Sequence, residues 1–219
     1  MEALYYIHLE NKALQCNLCP HECKLTPGKR GICKTRYNDN GEMRLLNSGV
    51  IASSGLDPIE KKPLFHFYPG SKIYSIGGYG CNLRCAFCQN YEISQYVPDS
   101  NSRLRENLPE NIVDKALFLP QNIGIAYTYN EPTVFFELML ATARLAKGKD
   151  LKNVMVSNGF INHKPLLELL DVIDAFNIDL KAFTDEFYKT QAGGKLAPVL
   201  NNLKAIKKNG NHLEIARSE

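Results

Sequence analysis

The stretch SIGGYGCNLRCAFCQNYEISQ, residues 75–95, decides how the rest of the chain is read. It places Cys81, Cys85 and Cys88 in a C-x3-C-x2-C spacing just after the apolar run Ile73-Tyr74-Ser75-Ile76. That run reads as a buried strand, and Gly77, Gly78 and Gly80 let the backbone turn and approach a bound group closely. Three thiolates at this spacing can hold three irons of a 4Fe–4S cluster, which takes cysteine sulfur as ligand and ordinarily uses four. No fourth cysteine lies in the loop, so one iron is left open. A reactive metal centre needs such a free position. A zinc knuckle is the competing reading of the same thiols, and within the loop it lacks a fourth ligand.

The segment CNLRCAFCQN resembles the cluster loop of the radical S-adenosylmethionine (SAM) enzymes, including the aromatic Phe87 just before the last cysteine. The resemblance implies that the open iron binds the amino and carboxylate groups of SAM. It also implies that one electron cleaves SAM into methionine and a 5′-deoxyadenosyl radical.

Composition sets the outer limits. The chain has 219 residues and 44% apolar content, enough for one sizeable core, alone or with a small appendage. Its 26 basic and 23 acidic residues are spread along the chain, and the net charge of +3 argues against a nucleic-acid partner. The start, MEALYYIHLENKALQC, is too polar for a signal peptide, and no apolar run approaches membrane-spanning length. Seven cysteines without a secretory signal point to the cytoplasm, where reduced thiols are available for metal rather than disulfides.

Four of the seven form an amino-terminal group, Cys16, Cys19, Cys23 and Cys33, spaced C-x2-C-x3-C-x9-C. No periodic apolar pattern runs through this segment, so burial alone is not expected to order it. A metal cross-link would supply the missing stability, as in small zinc domains. The spacing leaves zinc and a second iron–sulfur cluster both open, with His21 as a substitute ligand. Residues 42–72 then read as a connector, with a short strand from Met43 to Leu46 and turns at Asp57-Pro58 and Pro69-Gly70. Within it Glu60, Lys61, Lys62 and His66 read as a solvated turn packed at a barrel mouth. The functional alternative puts Lys61, Lys62 or His66 on SAM or the substrate.

From residue 71 apolar runs alternate with amphipathic ones, the signature of βα units and a parallel sheet. The expected strands are 73–76, 123–127, 153–157, 175–179 and 212–215, with helices near 109–119, 132–147, 164–172, 184–191 and 197–208. The fold class is therefore α/β, an incomplete TIM-like (β/α) barrel truncated after about five strands. The expected division is a Cys-rich segment and connector over 1–70 and a partial barrel over 71–219. In such a barrel the site lies at the carboxyl ends of the strands. Those ends carry the three cluster cysteines, then Thr128-Tyr129-Asn130-Glu131, Ser157-Asn158-Gly159 and Asp179-Leu180-Lys181.

Asn130-Glu131 resembles the superfamily's Gly-Gly-Glu motif in a variant form, which implies a carboxylate on SAM's amino group. Asp179-Leu180-Lys181 and the Asn158 of SNGF resemble segments of glycyl-radical activating enzymes, which implies SAM contacts there too. The order CNLCPHEC, DPIEKKPLFHFYPG, CNLRCAFCQNYEISQ, YTYNEPTVFFE, SNGF and NIDLKAFTDEFYK is similar to the radical SAM enzyme of the AmmeMemoRadiSam system, related to pyruvate formate-lyase activating enzyme. That family continues beyond HLEI into a further helix and strand where this sequence ends at ARSE, so a missing carboxyl end is expected. The resemblance implies a reductant such as flavodoxin or ferredoxin, and a protein substrate of the activating-enzyme kind. An iron–sulfur electron carrier or scaffold, or an inactive remnant, are the rival expectations.

Overall fold

The computed structural model describes residues 1–96 and 107–217. Short strands β1 (Tyr6–His8), β2 (Leu14–Cys16) and β3 (Lys24–Leu25) form an antiparallel sheet. A hairpin of β4 (Arg36–Asp39) and β5 (Glu42–Leu45) follows. Its two-residue turn is Asn40-Gly41 with φ of 52° and 103°, the pairing that a type I′ turn requires.

The third sheet carries the molecule. It begins with β6 (Ser53–Pro58), antiparallel to β7 (Lys72–Gly77). The chain continues through α1 (Tyr91–Ser94), α2 (Pro109–Phe118), β8 (Asn122–Tyr127), α3 (Phe136–Lys147), β9 (Lys152–Ser157) and α4 (His163–Leu170). β10 (Ala175–Leu180), α5 (Asp185–Phe187), α6 (Leu196–Asn209) and β11 (His212–Arg217) complete it. The strand order is β11-β10-β9-β8-β7-β6, with every neighbour from β7 to β11 parallel. All five expected parallel strands are present, each slightly longer than the sequence reading. The expected helix over 184–191 is instead the single turn α5 followed by a π-helical stretch, Tyr188–Ala192.

Alternate residues of each strand face opposite sides. Tyr74, Ile76, Ile125, Tyr127, Met155, Phe176 and Ile178 pack into the core with the helices. Ile73, Ala126, Val154 and Ala175 face the other way, and there they meet Ile59, Leu64 and Phe67. The segment from Ile59 to Phe67 is thus a plug on the sheet's inner face, pinned where Asn177 Nδ2 donates to Pro63 O at 3.0 Å.

Three expectations change here. Lys61 and His66 are exposed as in a solvated turn, but Lys62 is buried and the connector is not separate from the sheet. Ser53–Pro58 is its sixth strand, so the division at residue 70 runs through the β6–β7 pairing. SSGLDP lacks an apolar pattern because an edge strand buries little, and a terminal Pro58 is tolerated at an edge. Of the four polar residues named there, Lys61 and Lys62 share Asp57, while Glu60 and His66 bond elsewhere. Glu60 accepts from Gly70 N, Lys62 bonds Asp57, and His66 reaches Glu214 on β11. Last, the amino-terminal segment is held by burial after all. Ala3, Leu14, Leu18 and Leu25 join the main core, and the Tyr5 ring packs edge-on against Phe136 at 5.3 Å. Its apolar residues are too irregular in sequence to show a period, yet they join one core.

Candidate active site

The cluster loop leaves β7 between two other loops, and the fit is set by glycines. A Cβ on Gly77 would stand 2.6 Å from Thr128 O and 2.9 Å from Tyr129 Cβ. One on Gly78 would stand 2.9 Å from the Phe135 ring. These glycines therefore admit the neighbouring chain, whereas the sequence reading had them admitting a bound group. Gly80, at φ 88°, makes the turn into Cys81.

Hydrogen bonds then fix the loop from three sides. Asn130 accepts from Gly78 N at 3.0 Å and donates to Gly80 O at 2.8 Å. Arg84 N and Ala86 N donate to Ala192 O and Gln191 O, at 2.8 and 2.9 Å. Asn90 Nδ2 donates to Tyr129 O at 2.6 Å. Leu83, almost wholly buried, anchors the loop's underside in the core.

Beyond the loop opens a cavity of about 680 Å³. Cys81, Cys85, Cys88, Phe87, Asn130, Glu131, Asn158, Asp179 and Lys181 all line it. Lys61 and Lys62 line it as well, but His66 does not. Asp57 and Tyr129 complete its plug side. Asp57 escaped the sequence reading because Asp-Pro there looked like a turn.

Glu131 is buried and caps the 3-10 turn Pro132–Phe135. Its Oε1 accepts from Thr133 N, Thr133 Oγ1 and Ser157 Oγ at 3.0, 2.6 and 2.8 Å. Among the described residues its Oε2 accepts only from Asn158 N, at 2.8 Å. Burial raises its pKa, against the pull of those hydrogen bonds. Asn158 Nδ2 donates to Asn82 Oδ1 at 2.9 Å and lies 3.8 Å from Cys81 Sγ. Lys181 Nζ pairs with Asp179 Oδ2 at 2.8 Å, as their alternation along the strand requires. Burial depresses the Lys181 pKa, yet Asp179 outweighs it and leaves the ammonium more firmly charged. Phe87 stands against Phe187, ring centres 5.9 Å apart.

Burial also pushes the Cys81 and Cys85 thiols up. Near Cys81 the Glu131 charge adds to this, and near Cys85 Lys181 opposes it. Among the described residues no three His, Cys, Asp or Glu side chains gather around a single ion position. Three thiols around one cavity suit a cluster, which takes cysteine sulfur as its ligand. The donor set therefore fits the iron–sulfur group expected from the sequence.

Comparison with known proteins agrees with that chemistry. The sequence pattern described as the radical SAM superfamily matches residues 75–215. An uncharacterized protein of Methanocaldococcus jannaschii is 44% identical over 214 residues, covering 98% of this chain and 63% of that protein. The pyruvate formate-lyase 1-activating enzyme of Escherichia coli is 23% identical over 116 residues, covering 52% of this chain and 47% of the enzyme. The chain spans about half to two thirds of the length of these curated relatives. Among solved structures, Streptococcus suis SuiB bound to S-adenosylmethionine aligns at 16% identity with a TM-score of 0.47, over 63% of this chain and 31% of that one. With more than half of its length matched, from the cluster loop to β11, the chain belongs to the radical SAM superfamily.

Proposed function

We propose that the chain holds a 4Fe–4S cluster on Cys81, Cys85 and Cys88 and binds SAM in the adjoining cavity. The product is a 5′-deoxyadenosyl radical used for hydrogen-atom abstraction. One observation carries this reading: three thiols and six further residues, placed at the carboxyl ends of four different strands, line one cavity. Held by Cys81, Cys85 and Cys88, such a cluster would supply the one electron that SAM needs to part into methionine and the adenosyl radical.

The chain's own residues bind and orient. Glu131 Oε2 keeps acceptor capacity for the amino group of SAM, a charge-assisted contact. Lys181, using one of its three donors on Asp179, offers the others to the carboxylate or ribose of SAM. Asn158 directs an amide toward Cys81 Sγ, and hydrogen bonds to ligand sulfur tune the potential of a cluster. Asn130 acts by holding the loop at Gly78 and Gly80, because both ends of its amide are engaged. Phe87 covers the cavity rim beside the last cysteine.

The electron comes from a small carrier of the flavodoxin or ferredoxin kind, and the hydrogen donor is a protein, as the likeness to an activating enzyme supports. The setting is the cytoplasm, where thiols stay reduced. Among the described residues no helix is long and apolar enough to cross a membrane. In the same reading the four amino-terminal cysteines hold a second metal.

Electron paramagnetic resonance of the anaerobically reconstituted, reduced protein tests the central step. Adding SAM should change the cluster spectrum and yield 5′-deoxyadenosine. An unchanged spectrum with no 5′-deoxyadenosine overturns the reading.

A further inference from the structure

The main cavity carries a second set of charged groups that none of the SAM contacts uses. Those contacts, Glu131, Asn158 and Lys181, follow β8, β9 and β10, whereas Asp57, Lys61 and Lys62 come from the end of β6 and the segment just after it. β6 runs antiparallel to β7, and the register pairs Asp57 with Ile73, four residues before the strand ends at Gly77. At about 3.3 Å per residue, Asp57 lies roughly 13 Å down the sheet from the start of the cluster loop. The Tyr129 side chain crosses part of this depth, its hydroxyl reaching Asp57 Oδ2 at 2.6 Å.

Charge is sorted along the same direction. Near the loop Asp179 neutralises Lys181, and among the described residues Glu131 accepts from neutral groups alone, which suits an incoming ammonium. At the far end the balance is reversed. Two ammonium groups share the one Asp57 carboxylate, Lys62 Nζ at 2.8 Å from Oδ2 and Lys61 Nζ at 3.5 Å from Oδ1. One positive charge is left over there. Among the described residues Lys62 Nζ donates to Asp57 alone, so a group with three N–H donors has some to spare. Burial holds the Lys62 pKa below its ordinary value even with Asp57 beside it. A desolvated ammonium in that state is stabilised by a further anion. Lys61 is largely exposed, and its side chain can swing to an arriving group.

We infer that Lys61 and Lys62 receive a carboxylate of the substrate, an assignment that rests on the function proposed above. The protein substrate then presents an acidic side chain or a carboxyl terminus to the far end of the cavity, while Asp57 and Tyr129 hold Lys62 in place. A carboxylate brings one negative charge, matching the one left over, whereas a phosphate monoester brings about 1.5 to 2.

Three short peptides test this on the cluster-loaded full chain without SAM. They are acetylated and amidated Gly-Asp-Gly, the same peptide with Asn in place of Asp, and acetylated triglycine with a free carboxyl end. Saturation-transfer NMR gives their dissociation constants. At least one of the two acids should bind about tenfold tighter than the Asn peptide, as a charge-assisted contact allows, and the tighter acid tells a side chain from a chain end. Lys61→Gln should remove the preference; because Lys61 is exposed, that variant should melt as the wild type does. Equal binding of all three peptides, or a preference that survives Lys61→Gln, overturns the inference. Inorganic phosphate binding tighter than either acid overturns it as well. No SAM takes part, so failure of the function proposed above shows separately, in a cluster spectrum that SAM leaves unchanged.

Discussion

The Tyr129 hydroxyl donates to Asp57 Oδ2 at 2.6 Å, joining the loop after β8 to the edge strand β6. The same oxygen accepts from Lys62 Nζ at 2.8 Å, and that ammonium lies 4.5 Å from the centre of the Tyr129 ring. Burial works against the Asp57 charge, but Lys62 and Tyr129 outweigh it and hold its carboxyl well below the usual range. Burial and Asp57 together push the Tyr129 hydroxyl up to about 12. Tyr129 sits at φ 70°, a left-handed conformation that costs on the order of 1 kcal/mol in a residue of this kind. The two contacts and the Asn90 bond to its carbonyl are what hold it there, one residue before Asn130 and Glu131.

Replacing Asp57 by Asn leaves the buried Lys62 ammonium without its carboxylate. The loss should be about 3–5 kcal/mol in denaturant unfolding, and one below about 1 kcal/mol means the pair contributes little. The effect has a definite pH dependence. Because the folded pKa is depressed, the stabilisation is complete above the unfolded carboxylate pKa of about 4 and fades as pH falls below it. The gap between wild type and Asp57→Asn should therefore narrow in acid.

Gly77→Ala should fail for steric reasons alone, since the new Cβ meets backbone at Thr128 O. A cost of about 1–3 kcal/mol is expected, with weaker cluster incorporation because the loop is displaced. Thermal melting and iron content after reconstitution measure the two effects. A variant with wild-type values for both would mean that the two loops part easily.

Glu131→Gln puts an amide donor where the carboxylate accepts. A side-chain amide cannot accept from Thr133, Ser157 and the Asn158 amide at once, so one buried donor loses its bond. About 1–3 kcal/mol of stability should go, and SAM binding should weaken at least tenfold. Calorimetric titration of SAM into the loaded protein separates the roles, because a purely structural Glu131 leaves the affinity unchanged.

Single replacements Cys81→Ala, Cys85→Ala and Cys88→Ala should each abolish the SAM-responsive signal, since a methyl group offers iron no ligand. A full-strength, SAM-sensitive spectrum in any one of them removes that residue from the ligand set.

Local patterns were sufficient for the parallel half of the fold. Apolar runs such as Ile73–Ile76 and Asn153–Ser157, separated by helical stripes, state their own period, and the parallel strands, buried on both faces, require such runs. The cysteine loop was equally visible as a pattern, because its spacing lies within eight residues. The strand ends could also be listed, since a βα repeat delivers each one to the same rim.

Contacts between distant segments were not legible. Asp57, Lys62 and Tyr129 meet across 72 residues of chain, and Asn82 meets His21 across 61. The plug illustrates the reason. Ile59, Leu64 and Phe67 have no period of their own and are apolar only because the sheet's inner face, formed later in the chain, must be covered. A sequence carries the periodicity of elements that bury their own faces. Which irregular segment fills the remaining space is settled by close packing, and that exists only in the folded molecule.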